Sequence, residues 1–156
     1  MRGFLRFVST SAVLGLLSFF AVPAFGDPPN FSGKWVLDPG KSQDTNGEAI
    51  ELTIADTGDK IDYERIIHES NGKERKVSFS CAPVGTWCEF NEEGHKAKVS
   101  IWHDGSALMM AKEGGPNSDA TTERRLELSA DGKTLTVEFT NFSGTSKAQK
   151  LVFNKQ

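Results

Sequence analysis

From Ile50 to Phe153 the chain alternates apolar and polar positions with a period of two, broken at short intervals by turn-forming residues. Ile50-Glu51-Leu52-Thr53-Ile54 alternates most cleanly and stops at Asp56-Thr57-Gly58-Asp59. Ile61 to His68 is a second β-branched run. The Asn71-Gly72 pair after it predicts a two-residue hairpin turn with His68 opposite Arg75. Arg75 to Phe79 alternates again. Ala97, Val99 and Ile101 share a face, and Asp104-Gly105 predicts a turn that sets Ile101 against Leu108 and Val99 against Met110. Asp131-Gly132 predicts Leu128 against Leu135 and Leu126 against Val137, with Arg125 meeting Glu138 on the other face. A loop from Phe142 to Ser146 then brings Leu151 to Val137, Phe153 to Leu135 and Lys150 to Glu138.

About eight to ten strands result, with short connections and no amphipathic helical pattern. Only Asp38 to Gly47 and Glu113 to Asp119 read as longer loops. Consecutive hairpins with one apolar face make a meander, and a meander this long must curl or close to hide its edges. The expected fold is therefore all-β, an antiparallel up-and-down barrel. An antiparallel β-sandwich is the alternative.

The first 26 residues break this pattern. Arg2 and Arg6 precede an apolar run from Phe7 to Val22, and Pro23-Ala24-Phe25-Gly26 places small residues at the −3 and −1 positions of a cut before Asp27. The run is shorter than the roughly 20 residues that span a bilayer. A cleaved secretory signal is expected, leaving one domain from residue 27 to 156 in the periplasm or outside the cell. That domain has 16 basic and 21 acidic residues, a net charge of −5. Nucleic acid and anionic membranes both need a basic face, so neither is an expected partner. The domain is expected to be a monomer, and not an integral membrane protein.

Export also places Cys81 and Cys88 where disulfides persist. They frame Ala82-Pro83-Val84-Gly85-Thr86-Trp87, which reads as a hairpin tip. With Ala82 paired to Trp87, Cys81 faces Cys88 at a non-hydrogen-bonded position, where Cα atoms approach to about 4.5 Å and a disulfide closes. Phe79 then faces Phe90. The spacing is not that of a redox-active pair.

The mature region opens with Asn30-Phe31-Ser32-Gly33-Lys34-Trp35. Gly33-Lys34-Trp35 on the first strand resembles the G-x-W opening of the lipocalins and their calycin relatives. That resemblance implies a barrel enclosing a small, often hydrophobic ligand, with a late-strand arginine packed over the tryptophan. Arg124, in line with Leu126 and Leu128, is the matching candidate. Fatty-acid-binding barrels also open with Phe-x-Gly-x-Trp, but Asp38 to Gly47 is short for their helical lid. The chain is similar, too, to short exported bacterial proteins of unassigned function.

Little in the sequence points to catalysis. His68, His95 and His103 lack the spacing of a metal site and read as surface residues, with His95 and His103 at strand ends. No G-x-S-x-G elbow is present. Glu92-Glu93 reads as a solvated turn, Asp62 and Glu64 as the outer face of a strand. No metal, cofactor or catalytic residue is expected. The leading expectation is a small, mostly apolar ligand held by inward residues including Trp35, Phe79, Phe90, Ile101, Met110, Arg124 and Phe139. Two others stay open: a barrel filled by its own side chains and acting as an interaction or inhibitor module through Trp87 or Trp102, and an enzyme built across strands.

Overall fold

A computed structural model describes residues 27–116, 121–142 and 149–156. The expected signal segment lies outside these residues, as do part of the Glu113–Asp119 loop and most of the loop after Phe142. Each alternating run forms a strand: β1 (Gly33–Leu37), β2 (Ala49–Asp56), β3 (Ile61–His68), β4 (Glu74–Cys81), β5 (Val84–Glu92), β6 (His95–Asp104), β7 (Ala107–Gly114), β8 (Thr122–Leu128), β9 (Thr134–Asn141) and β10 (Gln149–Lys155). The ten form one antiparallel sheet in the order β4-β3-β2-β1-β10-β9-β8-β7-β6-β5. It curls into a nearly closed up-and-down barrel. Among the described residues there is no helix, and so none long and apolar enough to cross a membrane.

The order has a consequence for closure. The first and last strands pair with each other, Trp35 opposite Lys155 and Leu37 opposite Phe153. The two free edges therefore belong to β4 and β5, which follow one another in the chain. No ladder joins them.

One end of the barrel is solid. Trp35 is fully buried, and its indole Nε1 donates a 3.3 Å hydrogen bond to the Phe31 carbonyl. Phe31 is equally buried. Its backbone N–H donates to the Asp56 carboxylate at 3.1 Å, while Ser32 Oγ accepts from the Asp56 N–H at 2.9 Å. The segment before β1 is thereby pinned across the end of β2, and Phe31 plugs the barrel beside Trp35. Ile101, Leu108, Met110, Leu126 and Leu135 complete this part of the core. Gly33 permits the close approach of the last strand: a Cβ there would lie 2.8 Å from Lys155 Cε and 3.3 Å from the Trp35 ring.

The predicted registers fare differently at different turns. Those set by Asp131-Gly132 occur as expected, Leu128 with Leu135 and Arg125 with Glu138, and β10 meets β9 with Leu151 on Val137 and Lys150 on Glu138. At Asn71-Gly72, however, His68 faces Glu74 rather than Arg75. Positive φ occurs at Gly72 (85°) but not at Asn71, and the Glu69 N–H donates to the Lys73 carbonyl, so the turn is a three-residue loop ending in a left-handed glycine. The turn after β6 is Gly105-Ser106, with positive φ confined to Gly105 (60°), the pattern of a type II′ turn. It sets Ile101 against Met110 and Trp102 against Met109, a slip of two residues that leaves every side chain on its expected face.

The cysteine hairpin needs the largest correction. Cys81 and Cys88 do form a disulfide, with Cα atoms 5.8 Å apart. Yet β4 and β5 are not a hydrogen-bonded hairpin: β4 pairs only with β3 and β5 only with β6. The disulfide is a staple across the seam between the two ends of the sheet.

Trp35→Ala should remove the plug of the solid end and leave a cavity that the closed sheet cannot collapse onto. The expected loss of stability is about 3–5 kcal/mol, read from the shift in urea midpoint at unchanged slope.

Candidate functional site

The other end of the barrel is hollow. A cavity of about 370 Å³ occupies it, within the range of small-molecule sites. Its apolar wall comes from Ile50, Leu52, Ile67, Val77, Val137, Phe139, Leu151 and Phe153. Toward the open end the inward positions turn polar. In β3 the inward series runs Ile61, Tyr63, Arg65, Ile67, and in β7 it runs Leu108, Met110, Lys112. In β8 it runs Thr122, Arg124, Leu126. Period-two alternation thus carries Arg65, Arg75, Glu92, Lys112 and Arg124 to the cavity wall.

These charges are not evenly compensated. Arg75 pairs with Glu48 and Glu69, and Lys112 pairs with Glu92. A hydrogen bond from Asn71, with Arg75 beside it, holds the Glu69 carboxyl below its ordinary range. Arg65 and Arg124 make no ion pair among the described residues, although the charge of Glu92, itself paired with Lys112, acts on Arg124. Arg65 Nε is buried without a hydrogen-bond acceptor, and so is the Thr122 hydroxyl. Arg124 is 8% exposed, and its guanidinium lies 5.4 Å from the centre of the Phe139 ring. Burial, and then the neighbouring positive charge of Arg65, push its pKa down to about 10. The Arg124 guanidinium remains cationic at neutral pH. The positive charges of Arg65 and Arg124 lie close enough to act on one another in a low-dielectric wall, a setting in which an added anion is favoured.

Of the seven residues expected at the site, Arg124 and Phe139 line the cavity. Trp35, Ile101 and Met110 are instead packed in the solid half of the barrel, each fully buried. Phe79 and Phe90 meet across the β4–β5 seam, ring centres 5.2 Å apart, with Tyr63 stacked on Phe79 at 4.8 Å. The cation over Trp35 is Lys155, 5.1 Å from the ring, so Arg124 does not have the position implied by the lipocalin pattern. Lys155 is placed there because β10 pairs directly with β1.

Among the cavity residues that escaped the sequence reading are Arg65 and Glu92. Arg65 interrupts an otherwise apolar inward series between Tyr63 and Ile67. Glu92 continues the inward series Cys88, Phe90, and is 6% exposed rather than part of a solvated turn. In both, parity was the available signal. The loop after β7 crosses close above Glu92, where a Cβ on Gly115 would collide with the carboxylate.

Outside the cavity, Asp62 pairs with Lys60 and Glu64 with Lys76 on the outer face of the sheet. His95 is exposed, whereas His103 is half-buried beside Phe31, with Nδ1 unpartnered. Among the described residues no three metal-ligating side chains converge. Trp87 is 44% exposed and covered by Lys98, whose Nζ lies 4.8 Å from its ring; Trp102 is half-buried.

Comparison with protein-family models and with characterised proteins gives no match. Comparison with solved structures does. Apo lipid binding protein 8 of Caenorhabditis elegans superimposes with a TM-score of 0.59 at 12% identity, covering 81% of this chain and 95% of that one. Secretory abundant heat soluble protein 4 of Ramazzottius varieornatus gives 0.60 at 18% identity, covering 84% and 96%. A fatty-acid-binding protein from Drosophila melanogaster brain tissue gives 0.56 at 18%, covering 80% and 98%. The chain has the small calycin-like β-barrel fold that these proteins share. At such identities the likeness establishes the fold alone.

An unpaired buried cation costs folding energy. Because the Arg124 pKa is lower in the folded chain than in the unfolded one, this cost is fully present below about pH 10 and is relieved only above it. Arg124→Met should therefore raise the stability of the ligand-free protein, by about 1–2 kcal/mol, as measured by urea denaturation at neutral pH.

Proposed function

We propose that this protein is exported and binds a small amphipathic molecule inside the barrel, its apolar part against the Phe139 and Leu52 wall and one anionic group between Arg65 and Arg124. Two guanidiniums that face one cavity, neither held in an ion pair among the described residues, carry this reading. They narrow the expected mostly apolar ligand to one bearing a negative charge. The lipid- and fatty-acid-binding proteins among the structural neighbours support the same class of ligand. The basic start, apolar run and small-residue cut site of residues 1–26 support export, as does a disulfide that persists only under oxidising conditions. The hollow half of the barrel counts against a solidly filled interaction module.

Native mass spectrometry of residues 27–156, purified from the envelope fraction of its own host, tests the reading directly. A reproducible added mass, removed by organic solvent and ionising as an acid, is expected. Fluorescence titration with a long-chain carboxylate and with the alcohol of equal length gives the second test. The carboxylate should bind more tightly, and Arg124→Met should weaken it about 10- to 100-fold, the equivalent of one charge-assisted hydrogen bond. The alcohol should be nearly unaffected. Equal affinity for both molecules would refute the anionic anchor.

A further inference from the structure

We infer that ligand passes in and out of the barrel sideways, through the seam between β4 and β5, with the Cys81–Cys88 bridge as pivot and Phe79 and Phe90 as gate. The inference rests on the cavity being the ligand site.

Among the described residues the seam is the one place where the wall parts without breaking a ladder. Every other pair of neighbouring strands is joined by backbone hydrogen bonds, and separating such a pair would strand donors and acceptors against an apolar interior. Between β4 and β5 no backbone ladder forms, and the contacts run through the side chains of Cys81, Cys88, Phe79 and Phe90. At the solid end the disulfide prevents separation. One step along, Phe79 of β4 touches Phe90 of β5. Beyond them Arg75 and Val77 on one side, and Glu92 on the other, are walls of the cavity itself. The seam is thus fixed at one end, latched by an aromatic pair in the middle, and open to the cavity above.

The ion pairs follow the same division. Arg75 is tied to Glu48 and Glu69, away from the seam, and Glu92 is tied to Lys112 on β7. Among the described residues no ion pair crosses from β4 to β5, so parting them separates no opposite charges. The end of the barrel, by contrast, is partly covered by the segment between β1 and β2, whose Asp44, Thr45 and Glu48 line the cavity. Gln149 Nε2 donates to the carbonyls of Gln43 and Asp44 at 3.1 and 2.9 Å, and the Gln43 N–H donates to the Lys150 carbonyl at 2.9 Å. These bonds hold that segment across part of the barrel end.

Stopped-flow fluorescence with 1-anilinonaphthalene-8-sulfonate, an apolar anion, on residues 27–156 tests the route. Phe90→Ala and the Cys81→Ser/Cys88→Ser pair should each raise the association and dissociation rates together, by about three- to tenfold, the rate equivalent of one aromatic contact. Phe142→Ala, at an exposed position near the barrel end and outside the cavity wall, should change neither rate. Faster exchange in Phe142→Ala with no change in Phe90→Ala would place the route at the barrel end and overturn the inference. Amide hydrogen exchange on the unmodified protein gives a readout free of any ligand. Amides of β4 and β5 should exchange faster than those of β9 and β10, and faster toward Glu74 than near Cys81. Equal protection of all four strands would overturn the seam. If the probe does not bind while the seam exchanges fast, the ligand reading fails and the mobile seam stands.

Discussion

The pairing of β1 with β10 is the constraint from which the rest of the architecture follows. It joins the two termini of the meander, and so moves the sheet's free edges to β4 and β5 in the middle of the chain. It sets Lys155 over Trp35, so the last strand completes the packing of the first. A barrel closed in this way needs a second device where its edges meet, because exposed edges invite pairing with other chains. Here the device is covalent. The loop enclosed by the disulfide is short, so little of its effect comes from restricting the unfolded chain. Its larger effect is geometric, holding together two strands that share no ladder.

Along the barrel axis the inward positions change character. At the solid end they are Phe31, Trp35, Ile101, Leu108 and Met110, which fill the space; at the hollow end they include Arg65, Arg75, Glu92, Lys112 and Arg124. Filling and charge thus divide the interior into a half that supplies stability and a half that spends some of it. Arg124 is the clearest case, a cation held in the wall with no ion pair of its own among the described residues. Such a residue makes the empty barrel less stable than it would be with an apolar side chain, and is consistent with a cavity shaped for a charged occupant.

How far the chain could be read in advance depended on whether neighbouring residues carried enough information. At Asp131-Gly132 apolar pairs on one face and Arg125 with Glu138 on the other select a single register, and that register occurs. At Asn71-Gly72 and Asp104-Gly105 a favoured dipeptide alone was the guide, and the turns formed with different residues. At Asp104-Gly105 the slip is of two residues, which preserves the faces; at Asn71-Gly72 it is of one, with His68 meeting Glu74 instead of Arg75. The cysteine hairpin misled for another reason. Cys81 and Cys88 do meet and Phe79 does face Phe90, both of which a hairpin also predicts. Whether a ladder joins them depends on where the sheet closes, and that is set by strands far away in sequence.

The candidate site divides along the same line. Alternation by itself determined the strands, the inward faces, the barrel-like meander and the place of Arg124 and Phe139 among inward residues, because side-chain direction in a strand depends only on parity. The tertiary structure alone decided which inward residues fill the barrel and which border the cavity, because that depends on height along the axis once the sheet has curled. It also decided that Arg65 and Arg124, 59 positions apart in the sequence, line one cavity close enough for their charges to interact, and that the closure of the barrel falls at a disulfide. Pairing between distant strands sets both, and no local pattern encodes it.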